Sequence, residues 1–91
     1  METIELNGRL MRDRKSAHDH LQTQLSLPDY YGRNLDALYD LLTERSDPTR
    51  LLIRFSGELE AEPCSFAAAL LDTLRDAAAS NPSLEIELAA Q

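Results

Sequence analysis

The chain has 91 residues, a formal net charge of −7, and hydrophobic and charged fractions of 43% and 27%. That length supports one domain over residues 1–91 with one core, burying roughly 60 to 65% of the surface its unfolded form exposes. No apolar run is long enough to span a bilayer, the lone Cys64 excludes an internal disulfide and a cysteine-based metal cluster, and the acidity disfavours nucleic acid, whose phosphates call for Lys and Arg.

The first fifteen residues, METIELNGRLMRDRK, alternate instead of carrying the continuous apolar block of a secretory leader, which predicts retention in the cytoplasm. Within them, Ile4 and Leu6 alternate with polar neighbours and predict a first strand that stops at Asn7-Gly8, a pair suited to positive φ. After Arg12, Arg14 and Lys15, Ser16 is read as the cap of a helix that turns Ala17, Leu21 and Leu25 inward and ends before Pro28. His18 and His20 flank Asp19, but positions two apart on a helix diverge, so His18 is read as packed at the core edge and not as a metal ligand.

The segment from Leu27 to Asp40, LPDYYGRNLDALYD, is the most informative stretch. Tyr30, Tyr31 and Gly32 predict a turn, and Asn34 is a good N-cap. Leu35, Leu38, Leu41 and Leu42 trace one apolar helix face, with Asp36, Tyr39, Asp40 and Thr43 on the opposite side. Asp36 and Asp40 lie one turn apart, a like-charge spacing that costs an isolated helix roughly 0.2 to 0.5 kcal/mol. Asp36 is favoured in the first turn by the helix dipole, whereas Asp40 lies farther in and has no such compensation. A basic partner would turn the cost into an advantage. Tyr30 and Tyr39 are assigned to that partner-facing surface and Tyr31 to the core.

Ser46, Asp47 and Pro48 end this helix, and the apolar run from Leu51 to Phe55 predicts a buried strand. Residues 57–63 read as an acidic loop containing Glu58, Glu60 and Glu62, and Cys64 as a packing residue. Residues 66–79 form the strongest intrinsic helix, ended by Asn81-Pro82, and Leu84, Ile86 and Leu88 alternate with Glu85 and Glu87 in a last strand. Strands separated by helices predict an α/β fold with a small parallel sheet. The net charge over residues 1–25, 26–48 and 49–91 is 0, −3 and −4, so the acidity lies outside the N-terminal quarter. Such a field steers encounter with a basic protein.

Two carboxylates on an exposed helix lack a concave, water-excluding pocket and a nearby histidine, so no catalytic residue, metal or cofactor is predicted. The stretch LPDYYGRNLDALYD instead resembles the signature of the barstar family, intracellular inhibitors of a secreted bacterial ribonuclease, and the order of elements is similar over essentially the whole chain. The resemblance implies a three-stranded parallel sheet with helices packed on it, and an inhibitory surface on the second helix and the loop before it. It implies that Asp40 enters a nuclease's phosphate-binding site with Asp36 as companion. Tyr30 would pack on the enzyme, Gly32, Asn34 and Leu35 would touch it, Tyr39 stands where barstar has tryptophan, and Asp76 falls where barstar has a peripheral glutamate. Arg33 replaces an acid, and Arg45 stands where barstar has an aromatic residue. With Thr43 on the same face, the expected partner is a small basic ribonuclease, barnase-like or another secreted nuclease, bound by a protein that is monomeric when free. The alternative, motivated by Arg33 and Arg45, is an interaction module of the same fold with a non-nuclease partner.

Overall fold

The computed structural model describes residues 2–61 and 65–91; Glu62, Pro63 and Cys64, and with them the packing role read for Cys64, lie outside the described residues. Strand β1 (Glu2–Asn7) leads through a single 3-10 turn (Gly8–Leu10) to helix α1 (Arg14–Gln24) and helix α2 (Leu35–Thr43). Strand β2 (Thr49–Arg54), a one-turn helix α3 (Gly57–Glu60), helix α4 (Phe66–Ser80) and strand β3 (Leu84–Leu88) complete the chain. The strands form one parallel sheet in the order β1-β2-β3, with Ile4, Leu51 and Ile86 in one row and Leu6, Ile53 and Leu88 in the next. This is the predicted α/β, barstar-like arrangement.

Strand alternation divides the sheet into two chemically different faces. Leu6, Thr49, Leu51, Ile53 and Leu84 are buried beneath the helices, where they meet Ala17, Leu21 and Leu25 of α1, Leu38 and Leu42 of α2, and Leu70, Leu71, Leu74 and Ala77 of α4 in one core. The other face carries Glu5, Arg50, Arg54 and Glu85, joined across strands as Arg54–Glu5 at 3.3 Å and Arg50–Glu85 at 3.4 Å. Parallel sheets usually need cover on both sides. Here Glu5, Arg50, Arg54, Glu85 and Glu87 let one side stay wet, with Leu52 the apolar residue among them. The outer edge of β1 is closed by α1, because the Asn7 N–H donates to His20 Nε2 at 3.0 Å and Gln24 Nε2 donates to the Glu5 carbonyl at 2.9 Å.

Several local expectations need correction. The cap of α1 is Asp13, whose carboxylate accepts the Ser16 N–H at 2.9 Å; a charged acceptor also complements the helix dipole, and Ser16 becomes a first-turn residue. Gly8 does not adopt positive φ. It is required by close approach instead: a Cβ there would lie 2.4 Å from the Phe55 carbonyl oxygen and 2.9 Å from that of Arg54. Strand β2 starts at Thr49, two residues before the apolar run, since ladder bonds and not hydropathy set its end. Within the expected acidic loop, Leu59 is fully buried and draws residues 57–60 into α3. Leu88 is 37% exposed although it shares a row with buried Ile53, because β3 is an edge strand with a neighbour on one side only.

Candidate functional site

The loop from Ser26 to Asn34 and helix α2 form one surface, held from beneath by buried polar contacts. The Tyr31 N–H donates to the Pro28 carbonyl at 2.9 Å, and its buried ring sends the hydroxyl to His18 Nδ1 at 2.5 Å. His18 is only 1% exposed and packs edge-on against both Tyr31 and Phe66. Burial pushes the Tyr31 phenol up to about 12, against the opposing pull of Arg33. Asn34 then starts α2 as expected: its Oδ1 accepts the Ala37 N–H at 2.7 Å and its Nδ2 donates to the Gly32 carbonyl at 3.2 Å. A Cβ on Gly32 would meet Asn34 Nδ2 at 3.0 Å, so glycine leaves room for the cap.

With the loop anchored, Tyr30 stands out at 81% exposure, and Asp36 and Asp40 are exposed on the outer side of α2. Leu38 and Leu42 are buried on the inner side while Leu35 and Leu41 are half-buried, which fixes the rotation of the helix. Tyr39 is half-buried against the core, and its hydroxyl shares a hydrogen bond of 2.9 Å with Ser80 Oγ on α4. The Thr43 hydroxyl donates back to the Tyr39 carbonyl at 2.9 Å. Asp76 is exposed on α4, the helix packed beside α2.

The two arginines of this region are turned elsewhere. Arg33, held at φ 54°, reaches back to α1, where its guanidinium pairs with Asp19 and donates to Gln22 Oε1 at 2.8 Å. Arg45 lies 3.9 Å from Glu2 and 3.4 Å from Thr49 Oγ1, at the N-terminal ends of β1 and β2. Lys15 pairs with Asp19 and Arg75 with Glu60, while Arg9 and Arg14 lie over the rings of Phe55 and Phe66. Among the described residues no ion pair reaches Asp36, Asp40 or Glu44. Glu44, at the C-cap of α2 and beyond the stretch that ends at Asp40, extends the pair to three acids at four-residue spacing. It lines a groove of about 230 Å³ with Tyr30, Tyr31, Ala37, Asp40 and Leu41. Asn81 does more than end α4. It is buried, and its Nδ2 donates to the carbonyls of Leu42 and Arg45, both at 2.9 Å, tying the end of α2 to the end of α4.

His18, beneath this surface, and His20, at the edge of β1, make the stability of the fold pH-dependent. Burial lowers the pKa of both His18 and His20 below the ordinary 6.5, and the nearby Arg33 and Arg14 lower that of His18 further, with Asp19 opposing them. Protonating His20 also removes the acceptor of the Asn7 N–H. The folded state therefore binds these protons less readily than the unfolded chain. Stability is fully present above about pH 6.5 and falls as the pH drops below it toward the folded-state values, by up to about 1.4 kcal/mol per pH unit for each histidine. Urea midpoints measured from about pH 7.5 to pH 5 should fall accordingly, and His20→Gln should flatten the slope. Asp13 and Asp19, lowered by hydrogen bonds from Ser16 and from Lys15 and Arg33, act only below about pH 4.

A three-stranded parallel sheet, helices on one face and an acidic helix without paired cations together define a small α/β domain with an anionic surface. The chain belongs to the barstar family, whose model, described as "Barstar (barnase inhibitor)", matches residues 1–90. It is 37% identical over 78 residues to a Bacillus subtilis (strain 168) protein named "Putative ribonuclease inhibitor YrdF", an overlap covering 85% of this chain and 86% of that one.

Proposed function

We propose that this protein inhibits a small basic ribonuclease, in the cytoplasm, by laying α2 and its preceding loop over the enzyme's phosphate-binding site. The observation that carries the reading is the row of carboxylates on α2 left without a cation by a fold that pairs Arg33 with Asp19 and Arg45 with Glu2. Family membership and the name of the Bacillus subtilis relative support it.

A ribonuclease stabilises a phosphodiester whose negative charge is concentrated in the transition state, so its site gathers Arg, Lys and His. Asp40 takes the phosphate's place there, supported by Asp36. Tyr30, Gly32, Asn34 and Leu35 cover the mouth of the site from the loop and the first turn of α2, Tyr39 and Thr43 flank the carboxylates, and Asp76 reaches the periphery from α4. Arg33 sits at the rim, where its pairing with Asp19 makes it a modulator of partner choice. Nothing is made or broken covalently, and no cofactor takes part.

Titration into a panel of small basic ribonucleases, barnase included, with RNA cleavage as readout, tests the reading. At least one enzyme should be inhibited stoichiometrically, and association should slow as ionic strength rises from about 0.01 M to about 0.5 M, since screening shortens the reach of the acidic field. Folded protein that inhibits none of the panel would overturn it.

A further inference from the structure

We propose that the free edge of β3 is a second interaction surface, on which the protein takes up an extended segment of a partner whose residues alternate between apolar and basic. The surface lies on the sheet and not on α2, so it does not depend on the role given to that helix.

The backbone of β3 divides by alternation. The Ser83 carbonyl accepts the Thr49 N–H at 2.8 Å, the Ala89 N–H donates to the Ile53 carbonyl at 2.9 Å, and the Ala89 carbonyl accepts the Ser56 N–H at 3.0 Å. Odd-numbered residues thus turn their peptide groups toward β2, and those of Ile86 and Leu88 point the other way. Among the described residues no helix, loop or side chain hydrogen-bonds to them. The opposite edge of the sheet is treated differently, since α1 closes β1 through His20 and Gln24. An edge left open is a template for a further strand.

The side chains along the edge select that strand. On the helix side Ile86 is half-buried and Leu88 is 37% exposed, an apolar strip that apolar residues of an added strand would cover. On the wet side Glu85 and Glu87 are exposed; Glu85 meets Arg50 at 3.4 Å, while among the described residues no ion pair reaches Glu87. In an antiparallel pairing Ile86 and Leu88 form hydrogen-bonded pairs with the newcomer. Glu87, between them, forms a non-hydrogen-bonded pair, where side chains lie closest and an opposite charge helps most. The same geometry disfavours a second copy of this chain. The two antiparallel registers that overlap β3 most, centred on Ile86 and on Glu87, set Glu85 against Glu87 or Glu87 against itself.

The test uses the acetylated and amidated peptide Lys-Val-Lys-Val-Lys-Val-Lys, titrated through the millimolar range into isotope-labelled protein at low salt and followed by amide NMR and hydrogen exchange. Saturable shifts should centre on β3, and exchange of the Ile86 and Leu88 N–H groups should slow about tenfold. A peptide with Glu in place of Lys, and one whose valines are N-methylated, should do neither. Leu88→Pro removes an outward N–H without touching the ladder to β2, and should abolish the response. Glu87→Lys should weaken it roughly threefold to tenfold. An equal response to the N-methylated peptide, shifts without protection at Ile86 and Leu88, or unchanged affinity in Glu87→Lys would each overturn the proposal, the last even where Leu88→Pro does not fold. Protection of these two amides that rises with protein concentration in the absence of peptide would overturn it as well, by making a second copy the occupant.

Discussion

Replacing Asp40 with alanine is expected to weaken inhibition of the target ribonuclease by roughly 30-fold to a few thousand-fold, the general range for truncating one member of a desolvated charge pair at an interface. The size comes from the enzyme's side. In the proposed binding mode, cations gathered to hold a phosphate would lose water on docking, and without Asp40 they would be left buried and unpaired. Asp36→Ala should cost much less, because Asp36 in the first turn of α2 is already favoured by the helix dipole and the proposed mode gives it only a supporting role. Stability should move the other way. Removing Asp40 relieves its repulsion with Asp36 and Glu44, so the urea midpoint should hold or rise slightly, by a few tenths of a kcal/mol. Inhibition titrations and unfolding curves on the same preparations check both signs together. Equal potency of wild type and Asp40→Ala would remove Asp40 from the centre of the interface.

That opposition of signs follows from how the fold spends its cations. Arg33 is only three residues from Asp36, and Arg45 five from Asp40, near enough in sequence to have neutralised the helix. Instead, a left-handed backbone at Arg33 turns its side chain toward Asp19 and Gln22, and Arg45 is taken up by Glu2 and Thr49. Arg33 and Arg45 thus leave the helix face anionic. They stabilise the platform while the acids remain available.

The acidic face was legible in the sequence because it depends on local rules. Asn34 as cap, Leu38 and Leu42 as the inner face, and Asp36 and Asp40 as the outer one all follow from helical spacing, and the structure agrees with them. Tyr30 is exposed and Tyr31 buried, in line with their placement on the surface and in the core, while Tyr39 is partly committed to Ser80. What escaped were contacts between residues far apart in sequence. Gly8 is fixed by the carbonyl of Phe55, Arg33 by Asp19, and the end of α2 by Asn81. Periodicity carries no information about such pairs. Leu59 escaped for a related reason: a single apolar residue among glutamates has no period, and only the core beneath it reveals a turn of helix.

Asn81→Ala is expected to destabilise the fold by about 2 to 4 kcal/mol, the largest stability loss predicted for a polar residue of this chain. Asn81 is 5% exposed and uses both ends of its amide: Nδ2 serves the carbonyls of Leu42 and Arg45, while Oδ1 accepts the Ser83 N–H at 2.9 Å. Alanine would leave these backbone groups without that amide where water has little access. Aspartate would fail differently, since it cannot donate to the two carbonyls and would set a negative charge against the C-terminal end of α2. Asn81→Asp should therefore be no better tolerated than Asn81→Ala, a comparison that separates hydrogen bonding from side-chain volume. Urea unfolding gives the loss directly. Because the clamp sets where α2 ends and not which residues it presents, variant protein that is still folded should keep most of its inhibitory potency at low temperature and lose it on warming. A variant that unfolds like wild type would show that the packing of α2 against α4 through Tyr39 and Ser80 holds the helix without Asn81.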